Sequence, residues 1–129
     1  MMHSSAQDKT ILLVDDNDDL RELYSATLRR EGYVVCEAEN GRMALDILRR
    51  RDSHPCLVLL DLMMPVMSGA ELLKALEGSG DLENLPVIVL SAGGRPSDAP
   101  GAQQFIRKPV DANVLIKLVR DFCDSHPAT

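Results

Sequence analysis

The sequence predicts an α/β fold built on a doubly wound, five-stranded parallel sheet. Two observations lead to this prediction. Five short apolar runs punctuate the 129 residues, and most neighbouring runs are separated by amphipathic helical patterns. The runs are also apolar at nearly every residue rather than at alternate residues. Strands of that kind are buried on both faces, which requires helices on both sides of a parallel sheet.

The first half of the chain supplies two strand–helix pairs. The run TILLV at 10–14 precedes apolar residues at helical spacing between Leu20 and Leu28, and Gly32 stands where a helix would end. The run YVVCEA at 33–38 precedes Asn40, a residue suited to cap the next helix.

The second half supplies three strands and two helices. The run CLVLL at 56–60 precedes Ser68 and a leucine-rich helical pattern, and PVIVL at 86–90 forms the fourth strand. The run QFIR at 104–107 is the fifth strand, and Asp111 is suited to cap a final amphipathic helix.

The connection between the fourth and fifth strands departs from this alternation. The segment SAGGRPSDAPGAQ holds two prolines and three glycines, which oppose a regular helix. We expect an irregular connection with at most a helical turn or two near Ser97–Ala99. The fourth helix is therefore predicted to be short or absent.

Composition limits the classes of partner. A net charge of −6 argues against nucleic acid and against an anionic membrane surface, both of which attract basic proteins. No apolar run approaches the roughly 18 residues of a membrane span, and no signal peptide is evident. We expect a cytoplasmic protein with a flexible N-terminus at 1–8, one domain at 9–124 and a tail at 125–129.

The three cysteines, Cys36, Cys56 and Cys123, lie far apart in the sequence. No CxxC pair occurs, and the histidines do not supply the ligand spacing of a zinc site. The sequence therefore predicts free thiols in a reducing compartment.

Polar residues follow four of the predicted strands. Asp15 and Asp16 follow the first, Asp61 the third, Ser91 the fourth and Lys108 the fifth. The carboxyl ends of parallel strands share one edge of a sheet, so these side chains are expected to converge there. Two carboxylates at 4 Å repel by about 4 kcal/mol at an effective dielectric constant near 20, so the cluster needs a cation such as Mg²⁺. A carboxylate in such a site can act as nucleophile and form an aspartyl phosphate.

Each residue also has a simpler interpretation. Asp16 could cap the first helix, and Ser91 could serve only to satisfy the backbone. Lys108 alone could be a solvated charge, and Phe105 could belong to the core. Only the joint pattern at one sheet edge favours a functional site.

Four segments, ILLVDD, LVLLDLMMP, VIVLSA and FIRKP, resemble the signature segments of response-regulator receiver domains of two-component signalling. The chain is similar to stand-alone, chemotaxis-regulator-like members of that family. The resemblance implies a flavodoxin-like strand order 2-1-3-4-5. It also implies that Asp61 is the phosphoacceptor, with Mg²⁺ held by Asp15, Asp16, Asp61 and the backbone carbonyl of Met63.

The resemblance assigns further roles near the site. It implies that Lys108 contacts the phosphoryl oxygens, that Ser91 is the switch hydroxyl and that Phe105 is the switch aromatic residue. It also implies that the peptide bond from Lys108 to Pro109 is often cis. Met63 stands where polar residues are common in the family, and we expect it to alter the lifetime of the phosphorylated state.

The implied function is a phosphorylation-dependent switch. A sensor histidine kinase or a histidine phosphotransfer protein would donate the phosphoryl group, and a downstream protein target is possible. The chain would catalyse only its own Asp phosphorylation and dephosphorylation. The alternative is a phosphorelay intermediate or phosphate sink without conformational output. A hydrolase of the haloacid dehalogenase type would need a second Asp where Met63 stands. Whether the chain is stand-alone or excised from a larger protein stays open.

Overall fold

The structure is a computed structural model that describes residues 9–50 and 54–124. The described residues contain one five-stranded sheet, with every neighbouring pair parallel. Its strands are β1 (Thr10–Val14), β2 (Val34–Ala38), β3 (Leu57–Leu60), β4 (Val87–Ser91) and β5 (Gln104–Arg107). Their order across the sheet is β2-β1-β3-β4-β5. The predicted fold class and strand order are therefore confirmed.

Four α-helices connect or follow these strands within the described residues. They are α1 (Asp18–Arg30), α2 (Gly41–Leu48), α3 (Gly69–Ser79) and α4 (Ala112–Cys123). The caps predicted at Asn40 and Asp111 are confirmed, because their side chains accept hydrogen bonds from N–H groups of the first turns of α2 and α4. Gly32, just beyond α1, has a φ of +96°, which glycine adopts without steric cost.

The cap of α1 differs from the possibility considered for Asp16. The side chain of Asn17 accepts the N–H of Leu20 at 3.0 Å, so Asn17 is the N-cap. Asp16 instead contributes a carboxylate oxygen to a group of acids at the end of β1.

The connection from β4 to β5 has no α-helix. It contains a single 3₁₀ turn, Pro96–Asp98, in which Asp98 accepts the N–H of Arg95 at 2.8 Å. Proline fits the first turn of a helix, where its missing N–H costs little. The prediction that the helix between β4 and β5 is short or absent is therefore confirmed.

The hydrophobic core lies on both faces of the sheet. Alternate strand residues such as Leu12 and Leu60 pack with α2 and α3, whereas their neighbours such as Ile11 and Leu59 pack with α1 and α4. All eight residues of β3 and β4 before Ser91 are at most 2% exposed. This two-sided burial explains why these strands lack polar alternation.

The prediction of three free thiols is wrong. Cys56 and Cys123 form a disulfide with their Cα atoms 5.4 Å apart, and only Cys36 is free among the described cysteines. The sequence separation of 67 residues concealed the pair. Cys56 directly precedes β3 and Cys123 ends α4, and packing of α4 on the sheet brings them together.

Two predictions fall outside the described residues, namely the flexible N-terminus at 1–8 and the tail at 125–129. Along 9–50 and 54–124, every helix is too short or too polar to span a bilayer.

Candidate functional site

Three carboxylates meet at the edge formed by the carboxyl ends of β1 and β3. Asp15, Asp16 and Asp61 each place one carboxylate oxygen within 4.8 Å of the others. Asp15 and Asp61 are buried, with 2% and 6% exposure, while Asp16 is exposed. Backbone pairing fixes the buried acids, because the Asp15 N–H bonds to β2 and the Asp61 N–H bonds to β1. The predicted convergence of these acids at one edge is observed.

Lys108 lies against this group from the loop after β5. Its Nζ donates to Asp15 Oδ2 at 2.5 Å and lies 3.8 Å from Asp61 Oδ2. The lysine side chain is only 8% exposed, so solvent screens these ion pairs weakly. Lys108 therefore pairs mainly with Asp15 and leaves Asp61 less compensated. The peptide bond between Lys108 and Pro109 is cis.

The ionisation of Asp61 is perturbed. Burial raises the pKa of the Asp61 carboxyl from 3.8 to about 6, while the Lys108 ammonium acts in the opposite direction. The carboxylates of Asp15 and Asp16 raise the pKa, and the N–H of Met63, 3.4 Å from Asp61 Oδ1, lowers it. A desolvated carboxyl whose pKa lies this close to neutrality is typical of functional sites.

The loop from β3 to α3 approaches the site closely. Val66 has a φ of +69° at the centre of a tight turn closed by a 2.7 Å hydrogen bond from the Met67 N–H to the Pro65 carbonyl. This conformation is strained for a β-branched residue. At the start of α3, a Cβ on Gly69 would overlap the Asp61 carbonyl oxygen. The site therefore needs glycine at position 69. Sequence reasoning missed both features.

The other predicted site residues lie around this group, each with its own contacts. Ser91 is fully buried as the last residue of β4, and its Oγ accepts the Gly93 N–H at 3.4 Å. Its carbonyl accepts the Lys108 N–H at 3.0 Å, which joins it to the lysine through the backbone. Phe105 is half-buried in β5, with the Arg107 guanidinium 5.3 Å from its ring centre. Met63 is 65% exposed.

Two residues of α1 support the site and were missed from sequence. Arg21 donates to the Asp15 carbonyl at 2.7 Å and to the Glu37 carboxylate on β2 at 3.1 Å. The buried hydroxyl of Tyr24 accepts the N–H of Val110 at 3.3 Å, in the loop that carries Lys108. The only sequence signal was their position on the first helix after the acidic pair.

Comparison with known families gives a match over most of the chain. Residues 11–120 match the model described as "Response regulator receiver domain". The match includes β1 to β5, apart from the first residue of β1, and the first nine of the twelve residues of α4.

Three relatives, one of them compared as a solved structure, are between 29% and 41% identical to the chain. The response regulator GtcR of Aneurinibacillus migulanus is 41% identical over an alignment of 130 residues. This alignment covers 92% of this chain but only 51% of GtcR. The polar-differentiation response regulator DivK of Brucella ovis is 29% identical, covering 88% of this chain and 95% of DivK. The crystal structure of the response regulator TrrA of Thermotoga maritima in complex with Mg²⁺-BeF superimposes with a TM-score of 0.76 at 30% identity, covering 88% of this chain and 98% of TrrA.

Proposed function

The chain belongs to the response regulator receiver domain family, and from this membership we propose that residues 9–124 act as a phosphoacceptor domain in which Asp61 receives the phosphoryl group. The observation that carries the proposal is the group of three carboxylates within 4.8 Å, next to a buried lysine. Asp61 is the buried acid that Lys108 compensates least, so it is the best candidate nucleophile.

The donor set fits Mg²⁺. The three carboxylates and one ammonium leave a net formal charge of 1 − 3 = −2 when all the acids are ionised, which a divalent cation would neutralise. Hard carboxylate oxygens suit Mg²⁺, which binds proteins through few ligands and keeps several waters. We propose that Asp15, Asp16, Asp61 and the Met63 carbonyl hold the ion. It would supply charge neutralisation for the transferred group. TrrA, a similar protein, was crystallised in complex with Mg²⁺-BeF, and this complex supports the proposal.

In the proposed phosphoryl transfer, Asp61 would be the nucleophile and Lys108 would neutralise charge. The donor would be a phosphohistidine of a sensor histidine kinase or of a histidine phosphotransfer protein. Its P–N bond breaks, an O–P bond to Asp61 forms and the released imidazole takes a proton from solvent. Lys108 would transfer its main contact from Asp15 towards the phosphoryl oxygens. Charge balance of this kind accounts for most catalysis of phosphoryl transfer. The chain would catalyse only this reaction and the hydrolysis of its own phosphoaspartate.

The proposed output is a change at the edge beside the site. Ser91 would turn its hydroxyl from the Gly93 N–H towards the phosphoryl group, and Phe105 would follow. A downstream protein target would then recognise the changed surface. We propose a cytoplasmic location and expect neither nucleic acid nor a membrane as a partner. Met63, exposed beside Asp61, would alter the access of water and hence the lifetime of the phosphorylated state.

The connection after β4 favours a second candidate function. It offers a target only the 3₁₀ turn Pro96–Asp98 rather than a full helix face. A phosphorelay intermediate or phosphate sink needs no such face, because it only passes the group on. A histidine phosphotransfer protein that binds equally before and after phosphorylation would favour this function. A target that binds only the phosphorylated form would exclude it.

The test is intact mass after incubation with acetyl phosphate and Mg²⁺. The wild type should gain one phosphoryl group and Asp61→Asn none. Asp46→Asn, which removes an exposed carboxylate of α2, is the matched control and should gain the group as the wild type does. A gain by Asp61→Asn would refute the assignment of the acceptor. No gain by a wild type that binds Mg²⁺ would refute the proposed function.

A further inference from the structure

The disulfide between Cys56 and Cys123 lies away from the acidic edge and has no part in the proposed phosphoryl transfer. Cys56 directly precedes β3, at the opposite end of that strand from Asp61, and Cys123 is the last residue of α4. The pair therefore covalently joins the amino end of the central strand to the carboxyl end of the last helix. A Cα separation of 5.4 Å is ordinary for such a bond.

The two cysteine residues differ in exposure. Cys56 is half-buried, whereas Cys123 is 5% exposed. An external thiolate can thus approach Cys56 while Cys123 acts as the leaving group. The reduced form is also accommodated, because the Sγ of Cys56 lies 3.3 Å from the Thr10 carbonyl oxygen, which can accept its S–H. The surroundings of Cys56 therefore suit both oxidation states.

Among the described residues, the polar contacts at the end of α4 are mostly exposed. Arg120 pairs with Glu31 at 2.7 Å, with side chains 57% and 31% exposed. Asp124 accepts the hydroxyl of Tyr33 at 3.0 Å and pairs with Lys9 at 3.6 Å. Exposed ion pairs of this kind stabilise weakly. Without the disulfide, the last turn of α4 would be held by these pairs and by the packing of its buried face.

We propose that Cys56 and Cys123 are a reversible redox modification site that controls how firmly the end of α4 is attached to the sheet. The reactant is a thiol, either of low molecular weight or carried by a dithiol protein. Its thiolate attacks the Cys56 sulfur, a mixed disulfide forms and Cys123 leaves as a thiolate that takes a proton. A second thiol then releases Cys56. The protein disulfide gains two electrons and two protons, and two external thiols are oxidised to a disulfide.

A reversible role fits the cytoplasmic location proposed above. Disulfides in reducing compartments are usually transient and often sense redox state. The thiol–disulfide exchange does not involve the residues of the proposed phosphoryl transfer. The test below therefore uses neither a phosphoryl donor nor Mg²⁺, and its result is independent of that proposal.

The test equilibrates the full chain in glutathione buffers of varied ratio, quenches it in acid, alkylates it under denaturing conditions and measures intact mass. Of the three cysteines, we expect one to be alkylated in oxidised buffer and all to be alkylated in reduced buffer. The control Cys36→Ser should gain none and two alkyl groups respectively. Hydrogen exchange on the same samples should be about tenfold faster at the last turn of α4 in the reduced form, with β2 unchanged.

Three outcomes would overturn the inference. Full alkylation at every glutathione ratio would mean that the bond does not form. Protection at every ratio would mean that it is permanent and not a modification site. Equal exchange in α4 for both forms would mean that the bond does not control the attachment of the helix. Because wild type and Cys36→Ser retain both bridging cysteines, the test does not rely on a variant that fails to fold.

Discussion

Replacing Asp61 with Asn should stabilise the metal-free protein. Burial raises the pKa of this carboxyl from 3.8 to about 6, so at pH 7 the fold holds a carboxylate that would be more stable in the unfolded chain. A difference of about two pKa units corresponds to about 3 kcal/mol of unfolding free energy. Asn keeps the shape without the charge, and Lys108 retains its closer partner Asp15. We expect Asp61→Asn to raise the unfolding free energy by about 2–3 kcal/mol at pH 7.

The same pKa shift fixes a pH dependence. Because the folded-state pKa of Asp61 lies above the unfolded value, the native state binds more protons than the unfolded state between about pH 4 and pH 6. The destabilisation is therefore present at pH 7 and is relieved as the pH falls through 6. Between pH 7 and pH 5 the wild type should recover about 1 kcal/mol that Asp61→Asn does not.

The assay is urea unfolding in chelator at pH 5, 6 and 7, for the wild type, Asp61→Asn and the control Asp46→Asn. Asp46 is exposed on α2, so its substitution should change stability by less than about 0.5 kcal/mol. The proposed destabilisation by the Asp61 carboxylate is refuted if Asp61→Asn is no more stable than the wild type at pH 7. It is also refuted if the two proteins differ equally at pH 5 and pH 7.

Three further substitutions test the loops that support the site, each by urea unfolding. Gly69→Ala should cost about 1–3 kcal/mol and weaken Mg²⁺ binding, because its Cβ would overlap the carbonyl at the end of β3; the helical control Gly78→Ala, with open space around its Cβ, should gain up to about 1 kcal/mol. Val66→Gly should stabilise by about 1 kcal/mol through relief of its φ of +69°, and a loss of stability would contradict the strain. Tyr24→Phe should cost about 1–3 kcal/mol, because the Val110 N–H loses its acceptor; an unchanged midpoint would mean that another acceptor replaces the hydroxyl.

The features that could be predicted from sequence are those that local pattern determines. Continuous apolar runs predicted the positions of the strands, because strands such as β3 and β4 are buried on both faces. Caps such as Asn40 depend only on the first turn of their own helix. The acidic edge followed from one topological fact, that the carboxyl ends of parallel strands meet on the same side. The convergence of Asp15 and Asp61 needed no knowledge of side-chain packing.

The features that were missed depend on contacts between distant residues. Cys56 and Cys123 meet only because α4 packs on the face of the sheet beside the start of β3. The contact from Tyr24 to Val110 spans 86 residues and depends on the rotation of α1 about its axis. A hydrophobic periodicity shows which face of a helix is buried, but it does not say which backbone group lies opposite a hydroxyl on that face.

The charge arrangement at the acidic edge is itself an argument for function. A domain that needed only to fold would replace buried Asp61 with a neutral residue, because its carboxylate lies near two other acids and 3.8 Å from a lysine that pairs more closely with Asp15. Natural sequences tend to keep destabilising groups where activity requires them. The strained Val66 and the glycine required at position 69 lie in the same loop, directly after this acid. Their concentration around one carboxylate supports the proposal that Asp61 is the acid that reacts.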